Sequence, residues 1–258
     1  MHVHALSDPE AIRVFLETDR LWAAYALADL DPDLYKLSEW YGARDERGLQ
    51  SLALLYKGLK VPALFTMGRA EGIALILGAA LRAPRVYLNA RQEHMPAIQA
   101  HYRVHDAESM WRMTLSPNDF RPVAGRVVAL TPQYTKDLEE LYALGGGGAF
   151  TPSQVYDGAF YGLDERGRLI AAAGTHVLSR AHGVAAIGNV FTHPNHRGKG
   201  YATLATSTVC AELIRRGIHT IVLNVAQSNA TAIRVYEKLG FKRYLPYSEG
   251  VAVRKSAH

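Results

Sequence analysis

A short run of residues, His193 to Ala202, combines the groups that bind an anion at the start of a helix. Gly198 and Gly200 allow the backbone to turn without the steric penalty of a Cβ atom. The first N–H groups of the following helix have no intrahelical partners and can point at one ligand, while Arg197 and Lys199 add positive charge. The pattern predicts a phosphate-binding loop, and the alternative is a tight turn with exposed Arg and Lys.

The elements on either side of this loop are those that position such a site. Residues 185–192 are apolar and β-prone, and Pro194 ends the predicted strand. From Tyr201 to Arg216, small and aliphatic residues recur every four positions, which predicts a helix. A Walker loop needs Ser or Thr directly after Gly-Lys, and a dinucleotide-binding fold needs three glycines in an early strand–helix unit. The spacing excludes both.

The segment Arg197-Gly198-Lys199-Gly200-Tyr201-Ala202 resembles the pyrophosphate loop of the GNAT N-acyltransferase superfamily, Gln/Arg-x-x-Gly-x-Gly/Ala, which binds coenzyme A. A predicted strand at 220–225 and a second helix follow in the order of GNAT proteins. Asn229 and Tyr236 match the spacing of an Asn and a Tyr that border the coenzyme thioester. The resemblance covers residues 125–245. It implies a coenzyme A site formed by Arg197, Gly198, Lys199, Gly200, Tyr201, Ala202, Thr203 and Asn229.

The same resemblance implies a direct transfer, in which an amine attacks the thioester of acyl-CoA. Backbone N–H groups of Val190, Phe191 and Thr192 would polarise the thioester carbonyl, provided that the strand bulges there. Tyr236 would protonate the departing thiolate, since a phenol with a reference pKa of about 10 is protonated at neutral pH. Spacing alone favours a packed core tyrosine, and the match at Asn229 reverses that preference.

The sequence leaves several candidates for the general base. Some GNAT proteins carry a Glu on the fifth strand, and the matching residue here is Asn224, whose amide does not usefully accept a proton. The candidates are a water chain, Glu237, His176 and His193. A substrate amine of low pKa would not need a strong base.

Weak internal similarity predicts two GNAT-like domains in tandem. Residues 45–48, a plausible hairpin turn, recur at 164–167, and residues 88–92 resemble 223–227. We expect an α/β fold in which each domain has a mixed central sheet flanked by helices. A boundary at 121–126 separates a degenerate GNAT-like domain, 1–122, from a catalytic acyl-CoA-binding domain, 123–258.

The first domain is expected to be degenerate because its residues differ where chemistry would occur. Glu71 stands where a phosphate would bind, and His94 and His101 replace Asn229 and Tyr236. The sequence from Gly188 to Pro194, followed by the Arg-Gly-Lys-Gly loop, also resembles the branch related to glycine N-acyltransferases.

Composition bounds the class of protein. The 258 residues, 48% of them hydrophobic, can form packed domains, and the start of the chain lacks the pattern of a signal peptide. No run approaches the ~18 apolar residues of a membrane span, so we expect a cytoplasmic protein with no membrane partner. The net charge of +5 comes from scattered Lys and Arg, which does not predict nucleic-acid binding. Cys210 is interpreted as a buried inert thiol, and the histidine spacing predicts no metal site.

The predicted function is an acyl-CoA-dependent N-acyltransferase, most simply with acetyl-CoA as cosubstrate and a small amine or amino acid as acceptor. A protein amine is a second possible acceptor. The alternative from another class is a GNAT-fold protein that binds or senses acyl-CoA without turnover. Residues Gly145–Gly148 form either a lid or a linker, and Tyr134, Tyr142 and Tyr156 either line an acceptor pocket or pack in the core. The chain is a monomer or a homodimer.

Overall fold

The computed structural model describes residues 1–146 and 150–256 and divides into two compact units. Unit 1 consists of Met1–Trp111 and Leu245–His258, and unit 2 consists of Arg112–Tyr244. The division differs from the predicted domains 1–122 and 123–258. The C-terminal segment belongs to unit 1 because Tyr247–Val253 pair antiparallel with Arg85–Arg91.

Unit 1 is a mixed sheet with helices between its strands. The strands are β1 (His2–Leu6), β2 (Ser38–Asp45), β3 (Gly48–Tyr56), β4 (Ala63–Gly68), β5 (Arg85–Arg91), the first part of β6 (Tyr102–Leu115) and the second part of β12 (Lys242–Arg254). The helices are α1 (Pro9–Leu16), α2 (Ala24–Ala28), α3 (Pro32–Tyr35), α4 (Ala70–Ala79) and α5 (Met95–His101). The order β1-β2-β3-β4-β5-β12 is antiparallel except for β4 and β5, which run parallel. Ile73, Ile76 and Leu77 of α4 form one core with Leu64 and Leu88 of the sheet.

Unit 2 contains the remaining elements. Its strands are β7 (Val128–Ala129), β8 (Tyr161–Glu165), β9 (Arg168–Ser179), β10 (Val184–Thr192), β11 (Thr220–Ala226), the end of β6 and the start of β12. Its helices are α6 (Thr135–Tyr142), α7 (Ser153–Asp157), α8 (Tyr201–Arg215) and α9 (Ala230–Lys238). In the order β11-β10-β9-β8-β7, only β10 and β11 are parallel.

The two units repeat one order of elements: a strand, helices, three antiparallel strands, a helix, a parallel strand, a helix and a last strand. The repeated four-residue turns lie in equivalent hairpins. Asp45 pairs with Gly48 in the first, and Glu165 pairs with Arg168 in the second, so the two turns are shifted by one residue. The prediction of an α/β fold with a mixed sheet flanked by helices is confirmed.

The core of unit 2 places aromatic side chains under the end of β10. Tyr142, Phe160 and Phe191 are buried together with Leu138 of α6 and Val155 of α7. Tyr142 and Phe191 meet edge to face, with their ring centroids 6.4 Å apart. This cluster holds the last turn of α6 and the C-terminal end of β10 in one layer. Among the described helices, none combines the length and the apolar composition that crossing a membrane requires.

Candidate active site

Strand β10 is bulged near its C-terminal end. Gly188 pairs with Gly174 and Phe191 with Ala172, so Asn189 and Val190 lie opposite the single residue Ala173. Asn189 has a φ of 53°, which Asn tolerates better than most residues with a side chain. The parallel pairing with β11 covers only Val184–Ile187, so the two strands part before Val190. The bulge on which the predicted carbonyl-polarising role of Val190, Phe191 and Thr192 depends is therefore present.

Two side chains hold the bulged backbone. The hydroxyl of Tyr142 donates to the carbonyl oxygen of Asn189 at 2.6 Å. Asn189 Nδ2 donates to Gln154 Oε1 at 3.0 Å, and the same oxygen accepts from the backbone N–H of Thr151 at 3.1 Å. Gln154 therefore links the start of α7 to the bulge. The pattern Thr151-Pro152-Ser153-Gln154 identifies the capping contact in the sequence, but nothing in it indicates the contact with Asn189.

The glycine loop precedes α8 as the sequence predicts. Gly198 and Gly200 have φ values of 77° and 81°, and a Cβ atom at either position would meet nothing within 4 Å. The glycines are thus required for backbone conformation and not for space. No side chain among the described residues caps α8, so the first N–H groups of the helix remain available to a ligand.

Arg197 is anchored beside this loop. Its Nε donates to the carbonyl oxygen of Thr192 at 3.3 Å, and its guanidinium lies 5.6 Å from the centroid of the Phe191 ring. These contacts fix a positive charge between the end of β10 and the start of α8. Lys199 is exposed, while Tyr201, Ala202 and Thr203 in the first turn of α8 are half-buried.

Asn229 and Tyr236 both belong to α9, at its start and near its end. Asn229 Oδ1 accepts from the backbone N–H of Ala232 at 3.0 Å, so this side chain is the N-cap of the helix. Tyr236 is buried, with its ring centroid 5.9 Å from that of Phe241. Burial raises the pKa of Tyr236 to about 12, with a smaller contribution from nearby Cys210, so the phenol keeps its proton at neutral pH.

The bulge, the glycine loop and Asn229 lie at one edge of the sheet. Because β10 and β11 are parallel, their C-terminal ends lie at the same edge, and α8 and α9 both begin there. Ligands of open α/β sheets bind outside the C-terminal ends of such strands. Three buried side-chain atoms in these strand ends, Asn189 Oδ1, Thr192 Oγ1 and Asn224 Oδ1, have no hydrogen-bond partner within the described part of the chain. Buried polar atoms of this kind point to a missing ligand or water.

The three candidate residues for the base differ in their surroundings. Glu237 is exposed and pairs with Arg243 at 2.9 Å. His193 Nδ1 accepts from the backbone N–H of Asn195 at 3.2 Å, which engages one ring nitrogen in the loop. His176 lies against Gly188, where an added Cβ would be 2.2 Å from its Nε2 atom. Burial lowers the pKa of His176, and a contact with the Asn189 side chain opposes that shift.

The structure also shows the surroundings of the other residues that the sequence analysis singled out. Cys210 is buried in α8, and burial raises the pKa of its thiol, which keeps it neutral. Residues 1–146 and 150–256 contain no cluster of three or more His, Cys, Asp or Glu that could hold a metal ion. Gly147 and Gly148 of the predicted lid or linker lie outside the described residues. An added Cβ at Gly146 would be 2.3 Å from the Phe191 ring. Tyr142 packs in the core, Tyr134 packs against it, and Tyr156 is exposed.

Unit 1 lacks both the bulge and the loop at the equivalent place. The pairing of β3 with β4 runs without a shift from Ser51–Gly68 to Tyr56–Ala63, and only Arg69 separates β4 from α4. His94, at the position of Asn229, is fully buried. Its Nε2–H donates to the carbonyl oxygen of Gly68, and its Nδ1 accepts from the Thr66 hydroxyl, both at 2.8 Å.

Comparison with known proteins is consistent with this geometry. Residues 130–241 match the model of the acetyltransferase (GNAT) family. A stretch of 94 residues is 36% identical to mycothiol acetyltransferase of Thermobispora bispora, covering 34% of this chain and 32% of that protein. Another match is 32% identical over 94 residues to the ribosomal protein bS18-alanine N-acetyltransferase of Escherichia coli, covering 34% of this chain and 62% of that protein. The matched stretch thus spans about a third of the length of the first relative and less than two thirds of the length of the second.

Solved structures resemble the whole chain. A tandem GNAT protein from the clavulanic acid biosynthesis pathway has a TM-score of 0.64 at 14% identity, covering 100% of this chain and 99% of that one. A GNAT-family acetyltransferase from Colwellia psychrerythraea has a TM-score of 0.60 at 11% identity, covering 99% and 100%. At these identities the likeness shows the fold. Residues 130–241, which contain the bulged strand, the glycine loop and Tyr236, are thus the part of the chain that matches the GNAT acetyltransferase family.

Proposed function

We propose that this protein transfers an acetyl group from acetyl-CoA to the primary amine of a small molecule or amino acid, by direct attack of the amine on the thioester. One observation carries the proposal. The bulged end of β10, the uncapped start of α8 and the Asn229 cap of α9 all belong to the edge where the parallel strands β10 and β11 end.

The start of α8 supports a pyrophosphate site. The N–H groups of residues 198–203 supply donors and the positive end of the helix dipole, and Arg197 adds a fixed charge. The two glycines hold the loop in a left-handed conformation that other residues adopt at a cost of about 1–2 kcal/mol. Asn229 keeps its Nδ2 group for the coenzyme, because only its Oδ1 is used as the cap of α9.

The bulge and Tyr236 support the two charge-handling roles. Backbone N–H groups at Val190 to Thr192 would donate to the thioester oxygen as negative charge develops there, which is the function of an oxyanion hole. Tyr236 would give its proton to the sulfur when the C–S bond breaks. Its pKa of about 12 ensures that the donor form is fully populated at neutral pH.

Unit 1 supports the tandem arrangement without a second site. Its fourth strand is regular, its strand-to-helix connection is one residue long, and Glu71 lies in the first turn of α4. His94 already has hydrogen-bond partners for both ring nitrogens. We therefore assign acetyl-CoA binding and catalysis to unit 2, with one coenzyme per chain.

The test measures coenzyme binding and turnover separately. Calorimetry with acetyl-CoA gives the affinity and stoichiometry, and thiol release is then followed with a panel of amino acids, amino acid amides, polyamines and a short peptide with an N-terminal alanine. The proposal requires thiol release that depends on a small amine. Release with the peptide alone would identify a protein acceptor, and binding without any amine-dependent release would identify a non-catalytic acyl-CoA-binding module.

A further inference from the structure

We propose that unit 1 has a binding site of its own, a cationic cavity that takes the phosphate group of a small molecule. The cavity has a volume of about 400 Å³ and lies where α4, α5 and β12 end. This volume is within the range of ~300–1,000 Å³ that is typical of small-molecule sites. The lining residues are Gly78, Arg82, Ala100, His101, Arg254, Lys255 and Ser256.

The charged side chains of this cavity all have the same sign. Arg82, Arg254 and Lys255 are positively charged, and none of the lining residues is acidic. Within residues 1–146 and 150–256, none of these three side chains forms an ion pair with a carboxylate. The cavity therefore contains positive charge that the described part of the chain does not neutralise.

The corresponding helix ends of unit 2 are different. At the end of α8, Arg215 and Arg216 both pair with Glu212 at 2.7 Å. After α9, Arg243 pairs with Glu237 at 2.9 Å. The basic residues at these ends thus have carboxylate partners on the same helices. At the ends of α4 and α5 in unit 1, the partner has to come from outside the described residues.

Backbone carbonyl groups hold the three cations in place. Each cation donates to a carbonyl oxygen at or near the end of α4 or α5: Arg82 Nη1 to Gly78 at 2.7 Å, Arg254 Nη1 to Leu81 at 2.7 Å, and Lys255 Nζ to Gln99 at 2.6 Å. In the described part of the chain, the Nε atoms of both arginines make no hydrogen bond. The cations are therefore positioned in advance and still have N–H groups to donate.

The helix ends oppose an anion less than the cations attract it. The C-terminal end of a helix is equivalent to about −0.5 of an elementary charge, so α4 and α5 together contribute about −1. Against three unit positive charges, about +2 remains. A phosphate dianion matches this charge better than a single carboxylate does. The planar fork of an arginine also matches the oxygen geometry of a phosphate.

His101 shows the effect of this positive charge. Burial lowers the pKa of its imidazole, and the charges of Arg254, Arg82 and Lys255 lower it further. Arg82 approaches from the end of α4, and Arg254 and Lys255 approach from the end of β12. A bound dianion would offset these charges and favour the protonated imidazole. His101 would then act as a fourth cation of the site as the pH falls through its pKa.

The test is a calorimetric titration with inorganic phosphate and with glycerol 3-phosphate at pH 8, where a phosphate group carries about two charges. The intact chain carries Gly200→Asp in every sample, because the glycine loop of unit 2 is itself a proposed phosphate site. We expect saturable binding of one phosphate group per chain. Arg82→Gln with Lys255→Gln removes two exposed charges and should weaken this binding at least about tenfold.

A matched control removes the same two residue types elsewhere in unit 1. Arg47 and Lys60 are exposed, in the connections between β2 and β3 and between β3 and β4. Arg47→Gln with Lys60→Gln changes the net charge equally and should leave phosphate affinity within about twofold of the parent, since exposed charges more than ~10 Å away are largely screened at 0.1 M salt. Melting temperatures without ligand identify the variants that remain folded.

Sulfate tests the role of His101, because its charge does not change between pH 8 and pH 5.5. Sulfate affinity should rise at least about threefold as the pH falls through the lowered pKa of His101, since binding favours the protonated form. His101→Gln should abolish this rise and keep the affinity measured at pH 8. An unchanged rise in His101→Gln would show that the imidazole is outside the site and would overturn its part in the proposal.

The remaining outcomes are distinct. Tighter binding of glycerol 3-phosphate identifies a phosphorylated small molecule as the ligand, and tighter binding of inorganic phosphate identifies the free ion. Absence of saturable binding, full affinity in Arg82→Gln with Lys255→Gln, or acetate binding as tight as phosphate would overturn the proposal. The titration uses neither acetyl-CoA nor an amine, so its result is independent of the proposed acetyl transfer.

Discussion

Gly200→Asp is the sharpest perturbation of the proposed pyrophosphate site. Gly200 has a φ of 81° and open space around its Cα atom, so the substitution introduces no collision. Its effects are conformational strain of about 1–2 kcal/mol and a negative charge at the start of α8. At about 5 Å from a phosphate, the two charges repel each other by about 1–3 kcal/mol for effective dielectric constants of about 80 to 20. Since 1.4 kcal/mol is a factor of ten, acetyl-CoA affinity should fall at least about tenfold.

Matched variants separate charge from strain. Gly200→Asn has nearly the same shape without the charge, and Asn tolerates the left-handed conformation about as well as Asp. Gly217→Asp places the charge at the other end of α8, where φ is 80° and the space is equally open. Calorimetry should rank acetyl-CoA affinity as native and Gly217→Asp, then Gly200→Asn, then Gly200→Asp. The gap between the last two should narrow in high salt. A folded Gly200→Asp that binds like Gly200→Asn would refute the reasoning.

Three further predictions concern other parts of the site. Tyr236→Phe keeps the packing against Phe241 but removes the proton donor. Turnover should therefore fall by about 10²–10⁴-fold in a thiol-release assay, while the acetyl-CoA affinity measured by calorimetry stays unchanged. Turnover at the native rate would show that Tyr236 is only a packing residue. Asn229→Ala removes the N-cap of α9 and should lower the free energy of unfolding by about 1 kcal/mol in denaturant titrations. The control is Asn229→Asp, which retains a capping oxygen and should keep the free energy of unfolding near that of the native protein. Titration of the intact chain should give one acetyl-CoA site, which Gly200→Asp weakens, and two equivalent sites would show that unit 1 also binds the coenzyme.

The local parts of the site could be predicted because their cause is local. Gly198 and Gly200 specify a left-handed turn through their own backbone freedom, and the four-residue period of α8 marks where the helix begins. The same holds for the hairpins at 46–47 and 166–167, although the shift of one residue between them depends on where each pair of strands closes. Predicting these features requires no information about residues that are distant in the sequence.

Features that depend on distant contacts could not be predicted. The C-terminal segment belongs to unit 1 because β12 pairs with β5, and the pattern of either strand alone does not identify its neighbour. The position of His176 depends on a shift in the register between β9 and β10. The contact of Gln154 with Asn189 joins residues that lie on a short helix and a bulge. Each of these three features is determined only when the strands have assembled into the sheet.

The central claim is that acetyl passes directly from acetyl-CoA to an amine. The most direct measurement is a single-turnover reaction with acetyl-CoA labelled in its acetyl group, in which mass spectrometry follows the label in the amine, the protein and free acetate. The account predicts that the label appears on the amine as fast as the thiol is released, with none on the protein, and that Tyr236→Phe slows both equally. Label that accumulates on the protein or as free acetate, or that never leaves bound acetyl-CoA, would contradict it.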